Sequence, residues 1–146
     1  MWPRKSKVLI HQRRPKVSFT EIFIISAESK DLTKIFVFVG DKQSGKSSLI
    51  LKFLELQTSN DKLKNTVALD FKYATKNKEE KRAHVHTYEV GGGRVLVNML
   101  QATFSLQNLS KIASICIVLD LSKPGNVIDS LTYWLNSVKE HLNAAL

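Results

Sequence analysis

Cysteine, proline and glycine are scarce in this chain. Of its 146 residues one is cysteine, three are proline and six are glycine. A lone thiol excludes an internal disulfide and agrees with a reducing compartment. Cys116 lies inside the run Ile115-Cys116-Ile117-Val118-Leu119, so it reads as a small buried hydrophobe. Few glycines and prolines, beside 43% hydrophobic residues, exclude a disordered or low-complexity chain. No stretch approaches the ~18 consecutive apolar residues of a membrane helix. No apolar run with a cleavage site stands behind the first charges, so export is not expected. Internal repeats are also absent.

Acids are outnumbered, 13 against 22 basic residues, for a formal charge of +9. Much of that excess sits in Arg4, Lys5, Lys7, Arg13, Arg14 and Lys16, a stretch with no acid. Such an arm can meet nucleic acid or anionic lipid. No aromatic platform or recognition motif accompanies it, so it reads as a solvated tail, and nucleic acid is not an expected partner.

The length suits one domain. Residues 1–30 read as the basic tail, with an extra strand at 17–25, and residues 31–146 as a partial phosphate-loop domain. Ile35-Phe36-Val37-Phe38-Val39 is a short all-apolar strand. A helix over 45–56 would place Leu49, Ile50, Phe53, Leu54 and Leu56 on a broad apolar side. After a polar linker at 57–64, strands are expected at 66–73 and 83–89. The charged segment 74–82 between them reads as a hairpin or solvated loop. Residues 95–109 read as a helix or a broken helix. The run 111–119 is apolar enough to imply a strand buried on both faces. Pro124, Asn126 and Asp129 mark the start of a last helix, with Leu131, Trp134, Leu135, Val138 and Leu142 at helical spacing. The order predicts an α/β three-layer sandwich of the phosphate-loop (Ras-like) type, mostly parallel, with strands in the order 2-3-1-4.

Gly40-Asp41-Lys42-Gln43-Ser44-Gly45-Lys46-Ser47 fits G-x-x-x-x-G-K-[ST] between a strand and a helix. Gly40 and Gly45 let the backbone curl around phosphate oxygens where a β-carbon would intrude. Main-chain N–H groups from Gln43 and Ser44 through Ser47 and Ser48 would converge on the phosphates, at the positive end of the following helix. Lys46 would reach the β and γ oxygens and Ser47 would offer a hydroxyl to Mg²⁺. The implied ligand is GTP or ATP with Mg²⁺. A chance glycine-rich turn, or a retained loop without nucleotide, are the alternatives.

The next phosphate-sensing strand should end in an acid. His84-Val85-His86-Thr87-Tyr88-Glu89 does, and Gly92 follows three residues later. Glu89 would approach Mg²⁺ and Gly92 would offer its N–H to the γ-phosphate. Thr66 would close over the ion from the other side. Gly93 stands where a GTPase places its water-orienting glutamine, so hydrolysis should be slow, absent or partner-dependent, and no catalytic residue is assigned. His84 and His86 share a strand face, but nothing else completes a metal site there. Trp134 reads as core. Asp120-Leu121-Ser122-Lys123 is not a guanine-reading motif, so base identity stays open. The fourth strand would be an apolar sheet edge, which invites pairing. A fragment or shortened form, or cover by residues 17–25, would account for it.

Three stretches together resemble the light intermediate chain family of cytoplasmic dynein 2. They are Phe36-Val37-Phe38-Val39-Gly40 through Gly45-Lys46-Ser47, Tyr88-Glu89-Val90-Gly91-Gly92-Gly93, and Ile117-Val118-Leu119-Asp120-Leu121-Ser122-Lys123-Pro124. Thr66-Val67-Ala68-Leu69-Asp70-Phe71 also resembles that family's second strand. The resemblance implies a Ras-like domain that binds the dynein-2 heavy chain and works with the other dynein-2 subunits. It would support retrograde intraflagellar transport and cilium assembly, in the cytoplasm and cilium, including ciliary base and axoneme. It implies a structural rather than a catalytic role. An active Rab-like small GTPase, or an interaction module with a vestigial loop, are the competing readings.

Overall fold

The computed structural model describes residues 33–54, 66–78 and 81–146. The tail, the strand expected at 17–25, Leu56 and the linker at 57–64 lie outside the described residues. The elements are β1 (Thr33–Val39), α1 (Lys46–Phe53), β2 (Leu69–Lys78), β3 (Lys81–Val90), a 3₁₀ turn (Gly93–Met99) running into α2 (Leu100–Thr103), α3 (Leu106–Leu109), β4 (Ile112–Ile117), a short 3₁₀ turn (Pro124–Asn126) and α4 (Val127–Ala145). The sheet order is β2-β3-β1-β4. β1 runs parallel to β3 and β4, and β2 and β3 form an antiparallel hairpin. The expected strand order and layered class therefore hold.

β1 is apolar at every central position because both its faces are covered. Ile35, Val37 and Val39 point to one side, into a core with Val90, Leu100, Phe104 and Trp134. Phe36 and Phe38 point to the other, against Ile50, Leu54 and Val85. α4 closes the first face and α1 the second. Two neighbours therefore grip the strand whose C-terminal end becomes the phosphate loop, and that fixes where the loop begins.

Three expectations are corrected. β4 is half-exposed rather than buried on both faces: Ala113 and Ser114 are open. Among the described residues β4 pairs only with β1, and a register shift opposite Ile35 and Phe36 pushes Ala113 out of the ladder. Cys116 is accordingly half-buried, packed beside the Phe36–Ile50 core, and burial pushes its thiol above the ordinary value. Leu49 of α1 and Leu135 of α4 are 46% and 52% exposed, because each helix turns a stripe narrower than its apolar content toward the sheet. Residues 95–109 form a broken helix, interrupted at Phe104 and Ser105.

Candidate functional site

A cavity of about 230 Å³ opens at the C-terminal ends of β1 and β3. Gln43, Ser44, Gly45, Lys46, Ser47 and Ser48 line one wall. Thr66, Glu89, Gly91 and Gly92 line the opposite wall. Six of the seven residues first expected to touch phosphate in the loop are there. Gly40 is not: it lies beneath the loop, and its carbonyl accepts a hydrogen bond from Lys46 Nζ at 3.0 Å.

The loop folds this way because its backbone takes left-handed turns, at Gln43 (φ 65°) and at Gly45 (φ 91°), just before α1 starts. The first N–H groups of α1 have no partner inside the helix, and no side chain caps them. They face the cavity with the positive end of the helix dipole. Lys46 is almost fully buried and also donates to the Asp41 carbonyl at 2.8 Å. Burial lowers its pKa below that of an ordinary lysine, and the Glu89 and Asp41 carboxylates offset part of that.

Ser47 Oγ donates to Glu89 Oε1 at 2.7 Å and lies 3.5 Å from Thr66 Oγ1. Glu89 is 3% exposed, and its second oxygen, Oε2, is buried without a hydrogen-bond partner. A polar oxygen buried without a hydrogen-bond donor is costly. A divalent cation held among Ser47, Thr66 and Glu89 would satisfy it, with phosphate and water completing the shell. Among the described residues no group of three or more His, Cys, Asp or Glu could hold a metal ion; beside the one carboxylate of Glu89 stand the hydroxyls of Ser47 and Thr66. The His84–His86 pair does something else: His84 Nδ1 shares a hydrogen bond with Thr75 Oγ1 at 3.0 Å and His86 stands edge-on against Phe71.

The three consecutive glycines work as a spacer. The N–H of Gly91 bonds the Ala68 carbonyl, and a β-carbon on Gly91 would come within 2.6 Å of the Thr66 carbonyl oxygen. Gly93 takes φ +64°, and a β-carbon there would sit 3.0 Å from the Lys42 nitrogen. Missing side chains at 91 and 93 therefore let the Thr66 segment and the phosphate loop close on the end of β3 together.

Sequence reasoning missed Asp41 and Arg94. Asp41 occupies a variable position of the loop motif, yet its carboxylate accepts from Trp134 Nε1 (3.1 Å), Arg94 Nε (3.1 Å) and Ser130 Oγ. Burial alone would raise its pKa, but the hydrogen bonds from Ser130, Arg94 and Trp134 hold it below the ordinary carboxylate value. Arg94 also pairs with Asp129 at 2.7 Å and lies over the Tyr133 ring, 4.6 Å from its centroid. The available signals were an acid inside the loop and an arginine directly behind the glycines. Asp120 serves its own turn, accepting from the N–H and Oγ of Ser122 at 3.0 and 2.6 Å.

Comparison with known proteins agrees with this geometry. The family model described as "Ras of Complex, Roc, domain of DAPkinase" matches residues 34–145. Cytoplasmic dynein 2 light intermediate chain 1 of Mus musculus is 31% identical over 115 residues, 77% of this chain and 32% of that protein. The Homo sapiens counterpart is 29% identical over 115 residues, again 77% and 32%. Cytoplasmic dynein 1 light intermediate chain 1 of Dictyostelium discoideum is 28% identical over 110 residues, 73% of this chain and 21% of that protein. The chain thus spans about a third of the length of the dynein 2 relatives it matches.

Proposed function

The chain belongs to the Roc family of Ras-like phosphate-loop domains, and from that premise we propose that it is a nucleotide-binding accessory component of a dynein 2 motor. It binds the motor's heavy chain beside the other dynein 2 subunits and supports retrograde intraflagellar transport and cilium assembly. It works in the cytoplasm and the cilium, at the ciliary base and along the axoneme. The likeness to dynein 2 light intermediate chains supports the assembly part of this reading.

One observation carries the nucleotide part: the Ser47–Glu89 hydrogen bond that leaves Glu89 Oε2 sealed and without a partner at the mouth of the phosphate loop. The ligand is GTP or ATP with Mg²⁺, recognised through its phosphates. The N–H groups at the start of α1 and the Lys46 ammonium hold the phosphate oxygens. Ser47, Thr66 and Glu89 hold the cation, which neutralises phosphate charge when bound. Gly93 offers no side chain to orient a water, so the nucleotide stabilises the domain rather than being consumed.

Equilibrium titration of the purified chain with fluorescent GTP and ATP analogues, with and without Mg²⁺, tests the nucleotide part. Saturable micromolar binding supports it; no binding up to millimolar nucleotide overturns it. Co-precipitation of the dynein 2 heavy chain from ciliated cells tests the assembly part, and failure there overturns it independently.

A further inference from the structure

Arg94, Asp41 and α4 form one connected polar cluster outside the phosphate cavity. The Arg94 guanidinium bridges two carboxylates, Asp41 on the phosphate loop at 3.1 Å and Asp129 in the first turn of α4 at 2.7 Å. Tyr133, one turn further along α4, lies under the guanidinium and donates from its hydroxyl to the Arg94 carbonyl at 3.4 Å. Trp134, fully buried, and Ser130 reach the same Asp41 carboxylate from α4. Asp41 is thereby held at its side chain by α4 and Arg94, while its main-chain carbonyl receives the Lys46 ammonium. A residue fixed at both ends transmits displacement of either.

We infer that Arg94 is a positioning residue for the phosphate site, acting through Asp41, and that this clamp makes α4 respond when a nucleotide polyphosphate fills the loop. The inference rests on the proposed nucleotide reading. Its physical basis is preorganisation: a loop whose shape is fixed beforehand loses less conformational entropy on binding. Arg94 follows directly on Gly93, whose backbone packs on Lys42, so the segment after β3 and the loop are braced at adjacent points. The planar guanidinium meets two carboxylates and a ring at once, which an ammonium cannot reproduce.

The test uses the full chain carrying Trp2→Phe, which leaves Trp134 as its one tryptophan. Nucleotide affinity, melting temperature and tryptophan emission are measured for this parent and for Arg94→Ala, Arg94→Lys and Asp129→Asn. Arg94 is 39% exposed at its side chain, so Arg94→Ala should fold. The expected result is an affinity for GTP or ATP about 5-fold or more weaker in Arg94→Ala, with partial recovery in Arg94→Lys and an intermediate loss in Asp129→Asn. Trp134 emission should shift on saturation with nucleotide in the parent and shift less in Arg94→Ala. Parental affinity in Arg94→Ala, or a Trp134 emission indifferent to nucleotide in the parent, overturns the inference and leaves the nucleotide reading standing. Equal losses in Arg94→Ala and Arg94→Lys that merely track a fall in melting temperature also overturn it. If the parent binds no nucleotide, the nucleotide reading falls and takes the inference with it.

Discussion

Ser47 and Glu89, 42 positions apart in the chain, meet in a 2.7 Å hydrogen bond that ties the start of α1 to the end of β3. The contact exists because β3 lies parallel to β1 with Phe38 opposite Glu89, so both strands deliver their last residues to the same sheet end. Open α/β sheets bind ligands at the carboxyl ends of their strands, and here that end carries a hydroxyl, a carboxylate and a buried ammonium within one cavity.

Lys46→Ala should abolish most nucleotide binding. A charge-assisted hydrogen bond contributes roughly 1.5–3 kcal/mol, which is on the order of 10- to 150-fold in affinity. Competition titration against a fluorescent nucleotide measures it. Heavy-chain association should persist in the same variant, since the Lys46 side chain is buried and offers almost no surface of its own. Equal loss of both in a co-precipitation, with the variant still folded, would refute the separation of the two roles.

Glu89→Gln can still accept a hydrogen bond from Ser47 through its amide oxygen but removes the charge that would face a cation. Nucleotide affinity in the original chain should fall on adding a chelator, whereas the variant should bind weakly with or without Mg²⁺. Titrations run in parallel with Mg²⁺ and with EDTA decide it. A variant that still loses affinity on chelation to the same degree would show that Glu89 does not serve the ion.

Much of this site is legible in the chain itself, because the motif from Gly40 to Ser47 encodes local backbone shape and the unbroken apolar run of β1 encodes two covered faces. Asp41 is different. Its meaning depends on Trp134, 93 positions away, and a helix that packs back over the loop leaves no local trace of which loop residue it will meet. β4 misleads for a related reason. An apolar run reports what a strand prefers, whereas its burial depends on which strand stands beside it, and the described residues put none beyond β4. Leu135 satisfies the helical period of α4 yet faces outward, because hydrophobic spacing gives the width of a stripe and not its direction.

His86 should make stability depend on pH. Burial, with help from His84 and Lys111, lowers its pKa below the ordinary value of 6.5. The folded chain therefore takes up the proton less readily than the unfolded chain, and stability increases with pH through this window. Stability should be fully present above about pH 6.5 and decline as the pH falls from there through the folded value. Melting temperatures between pH 7.5 and 5 should fall more steeply for the original chain than for His86→Asn. Parallel curves for the two would remove His86 as the cause.

On the proposed reading that Gly93 takes the place of a GTPase's water-orienting glutamine, Gly93→Gln supplies that side chain and should still create no GTPase. The residue has φ +64°, a left-handed backbone that costs a side chain about 1–2 kcal/mol. Its new β-carbon would press on the Lys42 nitrogen at 3.0 Å, so the phosphate loop itself must shift to admit it. The substitution thus disturbs the binding wall before its amide can reach a water. The expected outcome is weaker nucleotide binding, a lower melting temperature, and single-turnover phosphate release no faster than in the original chain. The close approach of Gly93 to Lys42 is the reason to expect that adding the amide alone does not supply a reaction: the loop must give by a few tenths of an ångström to admit a β-carbon. Rapid phosphate release from the variant, at unchanged nucleotide affinity, would show instead that the loop has room for a side chain and that only the glutamine was missing.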